Sequence, residues 1–155
     1  MIHALPAPAP TAIVASVAAQ TDETRNAAIV REAFTRWRQG TGTVFDLLSP
    51  NVRWTIEGSR PSAGSYDRQA LEALLAPFNA ALAAPLAPTL QSVTATGNQV
   101  IVRFTATAPL KRGGTYRNAY AWFLTMRGGR IVAVTAFLDL AAFEAVRETG
   151  GASAP

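Results

Sequence analysis

Apolar positions recur at helical spacing early in the chain and at strand spacing over its second half. Ile29, Ala33, Phe34 and Trp37 fall on one face of a helix, with Arg25, Glu32, Arg36 and Arg38 largely elsewhere. The pattern predicts that this helix begins at Thr21, a good N-cap, with Asp22 and Glu23 in the first turn, where the helix dipole favours negative charge. Gly40-Thr41-Gly42 stops it, and residues 44–48 read as a short second helix ended by Pro50. Alternation over residues 52–57 sets Trp54 and Ile56 on one side of a strand and Arg53, Thr55 and Glu57 on the other. Residues 58–65 read as a loop. Asp67 then caps a third helix with an apolar stripe of Leu71, Leu74, Leu75, Phe78 and Leu82. Pro77 lies inside that stripe and, lacking a backbone donor, is expected to kink or split the helix.

The remainder reads as strand. Residues 89–96, 99–108, 116–127 and 130–139 are β-rich, and Gly97-Asn98 and Gly128-Gly129 separate them as two-residue hairpin turns. Residues 140–148 close the chain as a short helix. Helices followed by an antiparallel meander define an α+β class. The strand over 116–127 is apolar or aromatic on both faces, with Tyr120, Trp122 and Leu124 on one and Ala119, Ala121 and Phe123 on the other. A sheet with one wet face alternates apolar and polar. Two apolar faces therefore predict helices on one side and a second subunit on the other, a homodimer through the sheet. The small Ala119 and Ala121 predict room for a ligand on their side.

Composition narrows the chemistry. A length of 155 residues suits one domain, and 49% apolar with 15% charged residues is a globular balance. Apolar runs fall short of the roughly 18 residues of a membrane span, so no membrane partner is expected. The net charge of +4 comes from thirteen Arg and one Lys scattered without a block, which argues against nucleic acid. There is no Cys, which excludes thiolate chemistry, and the one His, His3, lies near the N-terminus, which removes His-based triads and metal clusters. No metal or cofactor is expected. Residues 1–20 are Ala/Pro-rich and read as a flexible tail. Residues 12–19 have a signal-like apolar run, but no cation precedes it and Pro6, Pro8 and Pro10 interrupt its approach; a cytoplasmic location is the expectation, with export the alternative. The domain is expected over 21–148, with 149–155 a second tail.

Several stretches together resemble the SnoaL-like, nuclear transport factor 2-like (ketosteroid-isomerase-like) superfamily. These are Trp54-Thr55-Ile56-Glu57-Gly58 with Gly64-Ser65-Tyr66-Asp67, Tyr116-Arg117-Asn118-Ala119-Tyr120, and Gly129-Arg130-Ile131 leading to Phe137-Leu138-Asp139. The resemblance implies a cone-shaped fold, N-terminal helices packed on a curved antiparallel sheet around a pocket. There is partial similarity to limonene-epoxide hydrolase: Arg103 stands where those enzymes carry the Arg of an Arg-x-Asp, Thr105 replaces its Asp, and Asp139 matches the acid that ends the last strand.

Asp139 sits in an apolar stretch, where burial would raise its pKa towards acid–base work; it also precedes a helix and suits an N-cap. Arg103 would be its partner if the face bearing Arg103 lines the cone. Trp54, Ile56, Tyr120 and Phe123 are candidate walls, Asn118 a candidate for orienting a carbonyl, and Tyr66 a candidate for the cavity mouth. Two functions follow. One is a pocket protein acting as a cofactor-free isomerase, cyclase or hydrolase on an apolar small molecule, by Asp139-mediated proton transfer or water addition. The other is a non-catalytic ligand-binding or dimerisation domain.

Overall fold

The alternation along the second half of the chain becomes a four-strand meander, and the helical stripe at its start becomes the helix that covers it. The computed structural model describes residues 6–7 and 10–151. Its elements are α1 (Pro10–Gln39), a 3-10 turn (Val44–Leu47), β1 (Leu48–Ile56), β2 (Gly64–Tyr66), α2 (Arg68–Ala80), β3 (Ala87–Thr96), β4 (Gln99–Pro109), β5 (Thr115–Arg127), β6 (Arg130–Leu138) and α3 (Leu140–Gly151). The six strands form one sheet in the order β2-β1-β6-β5-β4-β3. Strands β3 to β6 are antiparallel neighbours, but β1 runs parallel to β6, so the sheet is mixed. Gly128 and Gly129 both have positive φ, 56° and 75°, as a two-residue turn between right-twisted strands requires.

The first helix starts at Pro10, not Thr21. Residues 11–19 are rich in Ala, the best helix former, and Pro at a first helical position loses no bond the helix would make. Thr21 is thus interior, and its hydroxyl donates to the Val17 carbonyl instead of capping. Glu23, also interior, accepts from the Gly97 amide and ties α1 to the β3–β4 turn. Helical structure therefore covers residues 10–20 of the expected tail; residues 1–5, 8–9 and 152–155 lie outside the described residues. Among the described residues no helix is long and apolar enough to cross a membrane.

Other elements follow the pattern with shifts. Thr43 and Asp46 cap the 3-10 turn reciprocally: Thr43 Oγ1 accepts from the Phe45 amide and Asp46 from the Thr43 amide. Residues 64 and 65 of the expected loop, with Tyr66, pair with β1 as β2. Asp67 caps α2 as expected, accepting from the Ala70 amide at 2.8 Å. Pro77 neither breaks nor splits α2; it sits in the last turn, where the helix needs little more from its ladder.

The core lies between the inner sheet face and the helices. Phe34 of α1 meets Phe104 edge-on at 4.9 Å, and Trp37 stacks on Trp122 at 6.2 Å. On β5 the inner side chains Tyr116, Asn118, Tyr120, Trp122, Leu124 and Met126 are all buried. α2 leans on α3, Phe78 to Phe143 at 4.9 Å, and reaches β5 through Phe78 against Tyr116 at 4.9 Å.

Candidate functional site: an aromatic cavity beneath the second helix

Between α2 and the inner faces of β1, β6 and β5 lies a cavity of about 790 Å³. Its floor exists because Ala136 is small: Trp54 on β1 and Trp122 on β5 meet edge-on across it at 4.9 Å. Phe45 stacks on Trp54 at 5.5 Å and closes one end. α2 supplies Leu71, Leu75 and Phe78, and residues 82–86, Leu82 and Leu86 with the smaller Ala83, Ala84 and Pro85 between them, complete the wall.

Polar side chains on the lining are few. Arg68 and Glu72, paired at 3.2 Å across one helical turn, stand at the exposed rim, and Arg68 also donates to the Leu48 carbonyl. Tyr120 is the polar group of the sheet side. Its ring stacks on Phe104 at 4.6 Å, and its hydroxyl lies 2.7 Å from that of Tyr116. Asn118 stands between them on the strand, donating to the Tyr116 hydroxyl at 2.7 Å and to the Asp139 carbonyl at 2.9 Å. Its carbonyl oxygen accepts from the amides of Ala119 and Asp139. Burial pushes both tyrosine hydroxyls above their ordinary value of 10.0. Tyr120 therefore stays protonated and acts as a donor, not a base. Among the described residues no three His, Cys, Asp or Glu side chains cluster as a metal site.

The sequence candidates divide between the two faces. Trp54, Ile56 and Tyr120 line the cavity. Asn118 is buried on the same face but outside the lining, holding Tyr116. Tyr66 is also outside it, its hydroxyl donating to the Ser62 carbonyl at 2.9 Å. Phe123 and Arg103 project from the opposite face, where Arg103 is exposed beside Ala121 and Phe137 in register. The roomy side of β5 is thus not the Ala119–Ala121 side; room arises where α2 stands off the strands. Asp139 is exposed and accepts from the Ala142 amide at 3.2 Å, as the N-cap of α3. It neither lines the cavity nor pairs with Arg103. Apolar neighbours misled here, since Phe137 beside it points outward and is 46% exposed. Tyr116, Arg68, Glu72 and Phe45 were missed. The two tyrosines and Asn118 at even spacing on one strand face were the signal for Tyr116.

A second polar cluster fixes the loop before β2. Buried Glu144 of α3 accepts from Arg60 Nε at 2.7 Å and from the Ser62 amide at 2.9 Å. The Arg60 bond first, and the Ser62 amide next, hold its carboxyl below the ordinary 4.5.

An α+β cone with a helix-covered sheet and an apolar cavity defines the nuclear transport factor 2-like class. The chain belongs to the SnoaL-like domain family, whose model matches residues 17–134. It is similar in structure to Bal32a from a soil-derived mobile gene cassette (21% identity, TM-score 0.64, 81% of this chain and 98% of that one). AclR, a putative hydroxylase from Streptomyces galilaeus, superposes with a TM-score of 0.65 at 14% identity over 81% and 97%. IdmH, a putative polyketide cyclase from Streptomyces antibioticus, gives 0.56 at 19% over 80% and 96%. At these identities the likeness is one of fold. No curated protein sequence matches the chain significantly.

Proposed function

We propose that the chain binds a flat, largely apolar small molecule in the cavity beneath α2. The observation that carries this reading is the cavity itself: about 790 Å³, walled by Trp37, Trp54, Trp122, Phe45, Phe78 and Phe143, with its polar groups confined to a few places. Such volume and lining suit a ligand of several fused rings. The test is saturable binding of 9-fluorenone, a flat tricyclic probe, by equilibrium dialysis. One site per chain is expected, with loss of uptake in Leu75→Trp, which fills the cavity from α2. Uptake that does not saturate, or that Leu75→Trp leaves intact, would sink the reading.

A catalytic version of this function rests on one further observation. Among the described residues Glu72 is the one carboxylate on the lining, and Arg68 beside it is the one cation. Proton transfer at the cavity would run through Glu72, because the exposed Asp139 is committed to capping α3. If the protein is an enzyme, Glu72→Gln loses turnover while Asp139→Asn retains it; the opposite result restores Asp139.

We also propose that the outer sheet face joins two copies of the chain. Phe123 and Phe137 meet edge-on there at 5.9 Å, next to Ala119 and Ala121, and Phe137 is 46% exposed. Sedimentation equilibrium should give a dimer that Phe137→Glu converts to monomer; a wild-type monomer would refute it.

A further inference from the structure

We infer that the ligand carries an acidic arm: its rings fill the cavity beneath α2, and its carboxylate passes Arg68 to meet Arg53 in an adjoining polar cleft. The inference rests on the cavity being a small-molecule site and names the class of ligand that site takes.

The cleft has a volume of about 680 Å³, and Arg68 and Glu72 line both it and the cavity. It exists because β2 is short. β2 pairs with Trp54, Thr55 and Ile56, and among the described residues the stretch of β1 before Trp54 has no strand on that side. Asp67 follows β2 directly and α2 starts at Arg68, so the first turn of the helix stands beside the gap. The cleft is lined by residues 50–53 of β1, by residues 67–69 and by Glu72. All of these except Pro50 and Val52 are polar or charged, whereas aromatic rings dominate the cavity. The Arg68–Glu72 pair is thus the boundary between an apolar compartment and a polar one.

The charges of the cleft decide what it takes. It holds two cations, Arg53 and Arg68, and two carboxylates, Asp67 and Glu72. Both carboxylates are answered within the fold. Asp67 accepts from the Ala70 amide at 2.8 Å at the start of α2, where the helix dipole favours its charge. Glu72 accepts from Arg68 Nε at 3.2 Å. Arg53 is exposed and makes no ion pair among the described residues, so the charge left unanswered is positive. Arg68 adds open donors: of the five N–H groups of a guanidinium, one goes to Glu72 and one to the Leu48 carbonyl. A carboxylate offers two oxygens in the geometry that guanidinium groups bind best. Fixed directly on the rings, it would be drawn into the apolar cavity and stripped of water at high cost. The acid therefore belongs on an arm that reaches past Arg68.

The test compares 4-(fluoren-2-yl)butyrate with 4-(fluoren-2-yl)butan-1-ol, one ring system and one arm ending in a charged or a neutral group. Binding is read by equilibrium dialysis at neutral pH, beside 9-fluorenone as the probe of the cavity alone. The wild type should hold the butyrate roughly tenfold tighter than the butanol, as one charge-assisted hydrogen bond allows. The preference should shrink between about 0.01 M and 1 M salt, as the Debye length falls from about 30 Å to about 3 Å. Arg53→Gln alters an exposed side chain that lies outside the cavity lining, and should remove most of the preference while butanol and fluorenone binding stay. Arg112→Gln removes an exposed cation that lines neither space and should leave the preference whole. Circular dichroism confirms that both variants are folded. Equal binding of the two probes by the wild type overturns the inference and leaves the cavity reading standing. So does a preference that survives Arg53→Gln, or one that Arg112→Gln lowers as much. Binding of fluorenone but of neither armed probe overturns it as well, since no arm then passes Arg68. Binding of none of the three overturns the cavity reading and the inference with it.

Discussion

The hydroxyls of Tyr116 and Tyr120 lie 2.7 Å apart over Asn118, on the inner face of a single strand. Both are buried, and burial raises both above the ordinary tyrosine value of 10.0. In the unfolded chain they ionise near that value; in the native protein they hold their protons. The native state thus binds more protons above pH 10, so stability is intact below that pH and falls as pH rises past it. Ionisation of these two tyrosines, followed by absorbance near 295 nm, is expected to coincide with cooperative unfolding seen by circular dichroism. Ionisation of both well before unfolding would contradict the buried pair.

Asp139 supplies a cap. Asp139→Ala should cost about 0.5–2 kcal/mol of stability, the usual worth of an N-cap, while Asp139→Asn, which still accepts from Ala142, should cost little. Urea denaturation of the three proteins checks this. An equal loss in both variants would mean that the charge, not the cap, matters.

Glu144 has its carboxyl held below 4.5 by Arg60 and the Ser62 amide. A group depressed in the folded state gives stability that is present above its unfolded value and lost as pH falls through its folded one. The wild type should therefore weaken below about pH 4.5, and Glu144→Gln should be weaker at neutral pH but flatter on acidification. Urea midpoints from pH 7 down to pH 3 measure both slopes.

Gly150 marks the crossing of α3 over α2: a Cβ there would land on the Pro77 carbonyl oxygen, while one at Gly151 meets only ordinary contact with the Pro77 side chain. On helix propensity alone, Gly150→Ala would stabilise by about 1 kcal/mol. The crossing reverses the sign, and about 1–3 kcal/mol of destabilisation is expected, as for overpacked cores. Gly151→Ala is the control, and thermal denaturation distinguishes the two.

Most elements were legible because local signals agreed. Asp67 capped its helix, Gly128-Gly129 turned its hairpin, and strand alternation fixed which residues share a face. The start of α1 was not, because Thr21 is a good cap in isolation and the Ala-rich segment before it outweighed that preference. Nor could alternation say which face of β5 is inner, since both are apolar; that depends on where α1 and α2 pack, a non-local fact. Arg103 and Phe123 were misplaced for that reason, and Asp139 because the apolar Phe137 near it points outward. Tyr120, Trp54 and Ile56 lie on the cavity side because aromatic and branched side chains at strand spacing gather on the inner face.

The cavity takes Tyr120 from one strand of the sheet, and Arg68, Glu72 and much of its outline from α2 and residues 82–86. Asn118 anchors the Tyr116–Tyr120 pair to the backbone of β5 and of Asp139, independently of that wall. Substitutions at Leu75, Ala83 or Ala84 can therefore redraw the outline of the chamber without disturbing Tyr120 or the bonds that hold it. The chamber's outline and its buried tyrosine pair are inherited from separate stretches of the chain, so a lineage can alter one while conserving the other.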